Sequence, residues 1–467
     1  VPTRSQASPR LLTTILVGSA FLSGIDLFIV NVAFDEIGRD LGGPGGATLS
    51  SLSWILNAYA VIFAALLVPM GRLTDRYGRK AGFVAGLALF TVASAACGAS
   101  TGVWELVAFR GLQAVGAAAM TPASLGLLLA ALPPERRAPA ARLWATTGAL
   151  AAALGPAVGG VLVQLSWHWA FFINVPVGIV LVAAAIRFVP DVRHNEDAPR
   201  PDLSGAVLLA VTVGALVLAL VQGPDWGWSS AKVLGAVAVA VVALAAFVVQ
   251  SRHHPSPVVD PALLRVRSFT WAGVTMLVFH VGFGINLLGG ILWMQQVWGY
   301  GPLRTGLGVA LGPLMVPITS IVAHRVFPRA RPSVMVAVGC VVGAAGSALT
   351  VLLLTTEPSY WATSFPGRTL IGISVGLVVP NLVASATSPL PAAQTSTGSG
   401  VVTMARQVGL VLGVAVLISI LASSTDVMST FGSAFWLAGG LLLLSTGAAV
   451  AMQSTRRVAP EPVPTPG

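Results

Sequence analysis

Charge is what this sequence has least of. Only 9% of its 467 residues are Asp, Glu, Lys or Arg, against roughly a quarter in an average globular chain. Twenty-six basic and 16 acidic side chains cannot cover the water-facing surface of a soluble protein of this length, which excludes that class and leaves the bilayer. Lysine is nearly missing: Lys80 and Lys232 are the only two, so the net charge of +10 rests on arginine. Cys97 and Cys340 are the only cysteines and both fall in apolar runs, which argues against a disulfide framework or a cysteine metal site. No glycine-rich loop followed by lysine and a hydroxyl residue is present, so no ATP site is implied. Long polar connections are lacking too. The longest, around residues 189–203 and 251–268, are Pro- and Arg-containing links too short to fold as domains.

What is abundant is apolar sequence, 55% of the chain. A helix that crosses about 30 Å of hydrocarbon at about 1.5 Å per residue needs roughly 20 apolar residues. Fourteen such runs occur, near residues 11–33, 53–70, 81–100, 103–128, 143–165, 170–188, 204–221, 232–250, 269–292, 305–323, 333–354, 361–386, 401–421 and 431–452. The first is longer than the apolar region of a cleaved signal and is expected to be retained as a span. With the N-terminus cytoplasmic, twenty of the 26 basic residues fall on the cytoplasmic side, among them Arg72, Arg76, Arg79, Lys80, Arg136 and Arg137. The opposite side receives only Arg39, Lys232, Arg304 and Arg368, and Arg110 and Arg406 lie within spans. This bias predicts an even span count with both termini cytoplasmic, and it explains the basic balance without nucleic acid. Trp54, Trp104, Trp167, Trp169, Trp226, Trp228, Trp298 and Trp361 fall near outer ends of spans, as an interfacial belt would.

The two longest links bracket the seventh and eighth spans and divide the chain as six, two and six. Span five carries Gly155 and Gly159, and span thirteen carries Gly409 and Gly413 at matching places, each a pair four residues apart that permits close helix packing. Two repeated halves around a central path is the architecture of many secondary transporters. The expected organisation is a six-helix bundle over 1–190, a linker with two additional spans over 191–265, a second six-helix bundle over 266–455 and a cytoplasmic tail over 456–467.

An ionised group inside a span is costly unless paired or hydrated, so each is a functional candidate. Asp26 in span one and Arg110 in span four both lie seven residues from an outer span end, roughly 10 Å deep, so they can meet. Gln113 shares the helix face of Arg110. One reading is a static ion pair that fixes packing; the other is a proton-coupling pair in which Asp26 is protonated when its arginine moves away. Glu105 and the link histidines His253 and His254 are expected to be solvated, whereas His280 is read as structural or cavity-lining. Asn31, Tyr59, Asn174, Asn286, Gln295, Asn381, Arg406 and Gln407 are candidate cavity or supporting residues, although intramembrane amides often only bridge helices. The turn GRLTDRYGRK (71–80) sets Asp75 among Arg72, Arg76, Arg79 and Lys80 between Gly71 and Gly78. In span five Gly148, Gly155, Pro156, Gly159 and Gly160 remove side-chain bulk and one backbone donor, as a helix that packs closely and bends would require.

Together these segments resemble the major facilitator superfamily over essentially the whole chain, and the fourteen spans resemble its drug:proton antiporter branch. GRLTDRYGRK is similar to the family's loop motif, RGLQAVGAAAM from Arg110 to its span-four motif, and GALAAALGPAVGG (148–160) to its antiporter motif. IDLFIVNVAF around Asp26, WILNAY (54–59), SWHWAFFINVPVG (166–178), QQVWGYGPLRTG (295–306) and ARQVGLVLGVA (405–415) extend the likeness. Phe28, Asp35 and Ala114 depart from it, standing where a small hydroxyl residue, proline and glycine are usual. The resemblance implies an all-α integral membrane protein with 14 transmembrane helices in two bundles plus a central pair. It also implies a cytoplasmic latch formed by Asp75, Arg76 and Arg79, an arginine at position 110 that takes part in proton transfer, and a monomer in a bacterial cell membrane. The expected activity is proton-coupled export of hydrophobic or amphipathic small molecules by alternating access, with protons as coupling ion and no other cofactor. Export of an endogenous lipid or metabolite is the alternative. An embedded enzyme is disfavoured, because neither a zinc-type histidine pair nor a catalytic loop is present.

Overall fold

A computed structural model describes residues 8–42, 48–191, 200–390, 392–423 and 426–452. The expected tail at 456–467, Arg4 and Arg193 lie outside the described residues. Fourteen helices are long and apolar enough to cross a membrane. We number them α1 (Pro9–Leu41), α2 (Leu49–Tyr77), α3 (Arg79–Gly98), α4 (Val103–Ala131), α5 (Pro134–Leu165), α6 (Trp169–Phe188), α7 (Leu203–Trp226) and α8 (Ala231–His253). The remainder are α9 (Arg267–Val297), α10 (Pro302–Val326), α11 (Pro332–Leu352), α12 (Tyr360–Thr387), α13 (Ala392–Leu421) and α14 (Val427–Ala451).

Helix starts follow local chemistry. The hydroxyls of Ser8, Thr48 and Ser230 and the carboxylate of Asp202 accept from backbone N–H groups of the first turns of α1, α2, α8 and α7, satisfying donors that have no intrahelical partner. Gly78, at φ +117°, separates α2 from α3, a conformation that a side chain would strain. Several helices outrun the apolar stretches that announce them. α1 continues to Leu41 rather than ending near residue 33, and its added turns are held by Arg39 bonded to Asp35 at 2.6 Å and Glu36 at 3.0 Å. α5 likewise begins at Pro134 rather than near 143. Hydropathy marks where a helix meets lipid, whereas backbone hydrogen bonding continues into water when side-chain pairs support it.

The contacts fall into two matching sets. In the first six helices α1 packs on α4, α5 and α6, α4 also holds α2 and α3, and α3 meets α6. Eight helices further on the pattern recurs: α9 packs on α12, α13 and α14, α12 holds α10 and α11, and α11 meets α14. The sets touch mainly along two seams, α5 with α10 and α2 with α13. α7 lies against both α2 and α13, while α8 packs on α7. Ser50 of α2 donates to the Val221 carbonyl and Asp225 of α7, and Arg72 at the other end of α2 donates to Ser256 and the Pro257 carbonyl in the link after α8. The central pair is therefore strapped to α2 at both ends. Four tryptophans of the expected belt, Trp104, Trp169, Trp228 and Trp361, are exposed. Trp167 and Trp298 are instead buried, because each indole N–H finds an internal acceptor, Asp40 and the Thr355 carbonyl respectively.

Candidate functional site

Asp26 and Arg110 meet as their depths require. Arg110 Nη1 donates to Asp26 Oδ2 at 2.6 Å, and both side chains are fully buried. The second carboxylate oxygen accepts from Gln113 Nε2 at 2.9 Å and Asn174 Nδ2 at 2.8 Å. Asn174 also donates to Ser94, whose hydroxyl donates to the Phe171 carbonyl, so α6 and α3 are fastened to the same carboxylate. Arg110 reaches Gln113 Oε1 at 2.7 Å, and its guanidinium lies 4.0 Å from the Tyr59 ring centroid. Charge-assisted bonds and a cation–π contact thus replace much of the water both ions have lost, although Arg110 Nη2 is buried without a hydrogen-bond acceptor. The cluster joins five helices of one half, α1, α2, α3, α4 and α6, and every member named comes from that half.

A central cavity of about 200 Å³ opens between the halves, a concave and mostly apolar site with a few polar groups, the character of a small-molecule site. The first half contributes only Phe28, Gly148 and Ala152. The second half supplies the polar groups His280, Asn286, Arg368 and Arg406 on an otherwise apolar lining. Of the expected cavity residues, His280, Asn286 and Arg406 line it. Tyr59, Gln113 and Asn174 belong to the Asp26 cluster instead, because their polar or ring groups are taken up by the ion pair. Gln295 donates across the halves to the Val32 carbonyl at 2.9 Å. Asn31 and Asn381 each donate to the carbonyl four residues before, within their own helices, and neither lines the cavity. Gln407 is buried beside Arg406 but does not line it.

Arg368 was expected on the outer side and is not there. It lies eight residues into α12, in a span whose first turns are π-helical, and Ser364 in those turns accepts from its Nε at 3.0 Å. Its guanidinium lies over Gly290, where a Cβ would stand 2.1 Å from Nη2. Arg368 and Asn286 also border a second, much smaller cavity of about 30 Å³ lined by Trp293, Trp298 and Phe435. The signal that places it was legible: an arginine well inside an apolar run belongs to the span, not to the adjoining loop.

The glycines of α5 serve two neighbours. A Cβ on Gly155 would meet Phe28 at 2.7 Å and one on Gly159 the Ile29 backbone at 3.2 Å, so this face lies on α1. Gly160 faces the Pro302 carbonyl of α10, and a Cβ on Gly306 would stand 2.0 Å from the Pro156 carbonyl. The α5–α10 seam is therefore shut at its outer end, backbone against backbone. Toward the cytoplasmic end Gly148 has nothing within 4 Å and lines the cavity. In α13, Gly409 and Gly413 face the Leu277 and Val281 carbonyls of α9, repeating the α5–α1 contact.

A profile of the Major Facilitator Superfamily matches residues 16–414. The chain belongs to that superfamily. It is 33% identical over 419 residues to the multidrug resistance protein Stp of Mycobacterium tuberculosis (strain CDC 1551 / Oshkosh), covering 89% of this chain and 76% of that one. It is also 33% identical over 436 residues to a tetracenomycin C resistance and export protein of Streptomyces glaucescens (90% and 77%), and 31% identical over 459 residues to a methylenomycin A resistance protein of Bacillus subtilis (strain 168) (96% and 94%). Among solved structures, an auto-inhibited POT family peptide transporter superposes with a TM-score of 0.69 at 14% identity, covering 97% of this chain and 99% of the other. A D-xylose-proton symporter gives 0.69 at 12%, covering 96% and 98%. These last two show the superfamily fold. Membership and the fourteen spans make this a multi-pass protein of the cell membrane.

The superfamily's loop motif is described in one arrangement. Arg79 Nε donates to Asp75 at 2.6 Å and its Nη1 to the Gly126 carbonyl at 3.2 Å. A Cβ on Gly71 would lie 3.3 Å from Pro122, so both ends of the turn press on the cytoplasmic part of α4. Arg76 lies near the Tyr77 ring, 5.5 Å from its centroid. The described partner of Asp75 thus comes from its own half.

Proposed function

We propose that this chain exports amphipathic small molecules in exchange for protons by alternating access, and that Asp26 is the proton site. The observation that carries the reading is the coupling geometry. Asp26 holds α1 to α3, α4 and α6 through its partners, two residues further on Phe28 forms the first half's wall of the cavity, and Phe28 and Ile29 bear on the glycines of α5, the helix that meets α10 at the shut seam. Protonating Asp26 removes the charge that Arg110, Gln113 and Asn174 converge on, which frees α1 to shift against α5. The seam then exchanges one glycine-lined contact for another, and the cavity faces the other side. The relatives named as drug-resistance and export proteins support the outward direction, and the span-five motif agrees with it. Each chain encloses a whole cavity, so a monomer suffices.

The test uses inverted membrane vesicles energised to an acidic interior, to which a panel of lipophilic drugs is added. Drug-triggered proton efflux is expected from the native chain and not from Asp26→Asn with folding verified. Coupling retained in the variant removes Asp26 from the mechanism. A native chain that responds to no member of the panel shifts the reading to an endogenous lipid or metabolite.

A further inference from the structure

The charge of the central cavity is one-sided. Arg368 and Arg406 line it, and among the described residues no carboxylate does. Among the described residues neither guanidinium has an ion-pair partner within 4.0 Å. Arg368 spends Nε on Ser364, while Nε of Arg406 is buried with no hydrogen-bond partner at all. His280 adds no negative charge: its Nδ1 lies 2.8 Å from the Met276 carbonyl, which can only accept, so that nitrogen carries the hydrogen. Asp26, buried two residues before the cavity-lining Phe28, is already shared by Arg110, Gln113 and Asn174. Two guanidiniums without counter-ions inside an apolar protein are costly, and Gly290 is kept free of a side chain in the space that Arg368 fills. Facing them across the cavity are Phe28, Gly148 and Ala152, an apolar wall.

We propose that the cavity selects amphipathic organic anions, with a carboxylate held by Arg368 and Arg406 and the hydrocarbon body against Phe28 and Phe283. Guanidinium offers parallel N–H donors that match the two oxygens of a carboxylate, and the cargo itself supplies the missing counter-ion. A lipophilic cation would meet repulsion from both arginines and find no acid to pair with. The inference rests on the reading of this cavity as the transport site, but binding can be measured without transport.

The experiment uses the purified full chain in detergent and three probes that share one body: 1-pyrenebutyrate, 1-pyrenebutanol and 1-pyrenebutylamine. Binding is read by energy transfer from the chain's tryptophans. The butyrate is expected to bind at least about ten-fold tighter than the alcohol or the amine, about the worth of one charge-assisted contact. Arg368→Gln and Arg406→Gln should each weaken the butyrate about ten-fold or more and leave the alcohol unchanged. Unchanged alcohol binding also shows that the variants are folded. Arg368→Lys, which keeps the charge and loses the fork, should fall between native and Gln. Equal binding of the three probes, tighter binding of the amine, or a butyrate preference that survives in the double Gln variant would overturn the proposal. Reconstitution separates the two readings: butyrate that binds selectively but is never exchanged for protons leaves the anion site standing and sinks the antiport.

Discussion

Arg110 and Arg406 are both arginines well inside membrane-spanning helices, one in each half of a repeated architecture, yet their surroundings differ in kind. Arg110 is fully buried, bonded to Asp26 and Gln113 and laid over Tyr59. Arg406 borders the central cavity with no carboxylate in reach and a buried Nε that bonds to nothing, and Arg368 keeps it company. The helix contacts of the halves correspond pair for pair, so the repeat carries the scaffold but not the electrostatics. One half has its counter-ion built in; the other leaves its charges open to the cavity. Under the proposed function a single cavity binds cargo with one half while the other takes up the proton, and the seams couple the two.

This comparison can be broken most severely at the ion pair. Arg110→Met strands the Asp26 carboxylate in a dry site and should cost about 3–5 kcal/mol, read as a large fall in melting temperature in detergent. Arg406→Met should leave stability unchanged or raised, since no partner is orphaned. An equal loss from both substitutions would erase the distinction. Next in size is the seam. A side chain at Gly306 collides with the Pro156 carbonyl, so Gly306→Val should hold the outer end of α5 and α10 apart and abolish export while probe binding persists. Labelling of a cysteine placed at Phe28 by an impermeant maleimide from outside should rise accordingly.

Smaller effects sharpen the picture. Asp75→Asn removes the negative charge that Arg79 pairs with and should slow export several-fold with binding intact, measured as substrate-driven proton flux. The smallest effect is expected at the central pair. Burial of Asp202 opposes its ionisation, but the Gly205 N–H, Ser204 and Gln250 outweigh it and hold the carboxyl below its usual range. Loss of this cap in Asp202→Ala should cost about 1 kcal/mol. A depressed pKa stabilises fully above the unfolded value of about 3.9, and the contribution disappears as pH falls through the folded value. The melting difference between native and variant should therefore be full at neutral pH and shrink below about pH 4.

Much of this could be read from the chain because bilayers impose simple rules. Span number, the six-two-six division and the meeting of Asp26 with Arg110 followed from apolar length, basic asymmetry and equal depth. The α5 glycines were legible as packing residues, though not that Gly155 and Gly159 serve α1 while Gly160 serves α10; helix phase decides that, and about 100° of rotation separates neighbouring residues on the helix. Intramembrane amides were only half legible: Gln113 shares the face of Arg110 and supports Asp26, while the sequence does not sort the others between cavity and support. Asn174, Gln113 and Gln295 carry the same polarity as Asn286, yet only Asn286 reaches the cavity, because one face of a helix points to its own bundle and another to the path between bundles.

Sequence by itself therefore determined the membrane class, the fourteen helices and the buried ion pair, since each follows from a free energy that a helix incurs against lipid. Only tertiary structure decided which polar groups share a cavity, that Arg368 belongs to it, and that its charge is uncompensated. Those properties depend on the rotation and registry of helices far apart in the chain, and packing between small residues sets them.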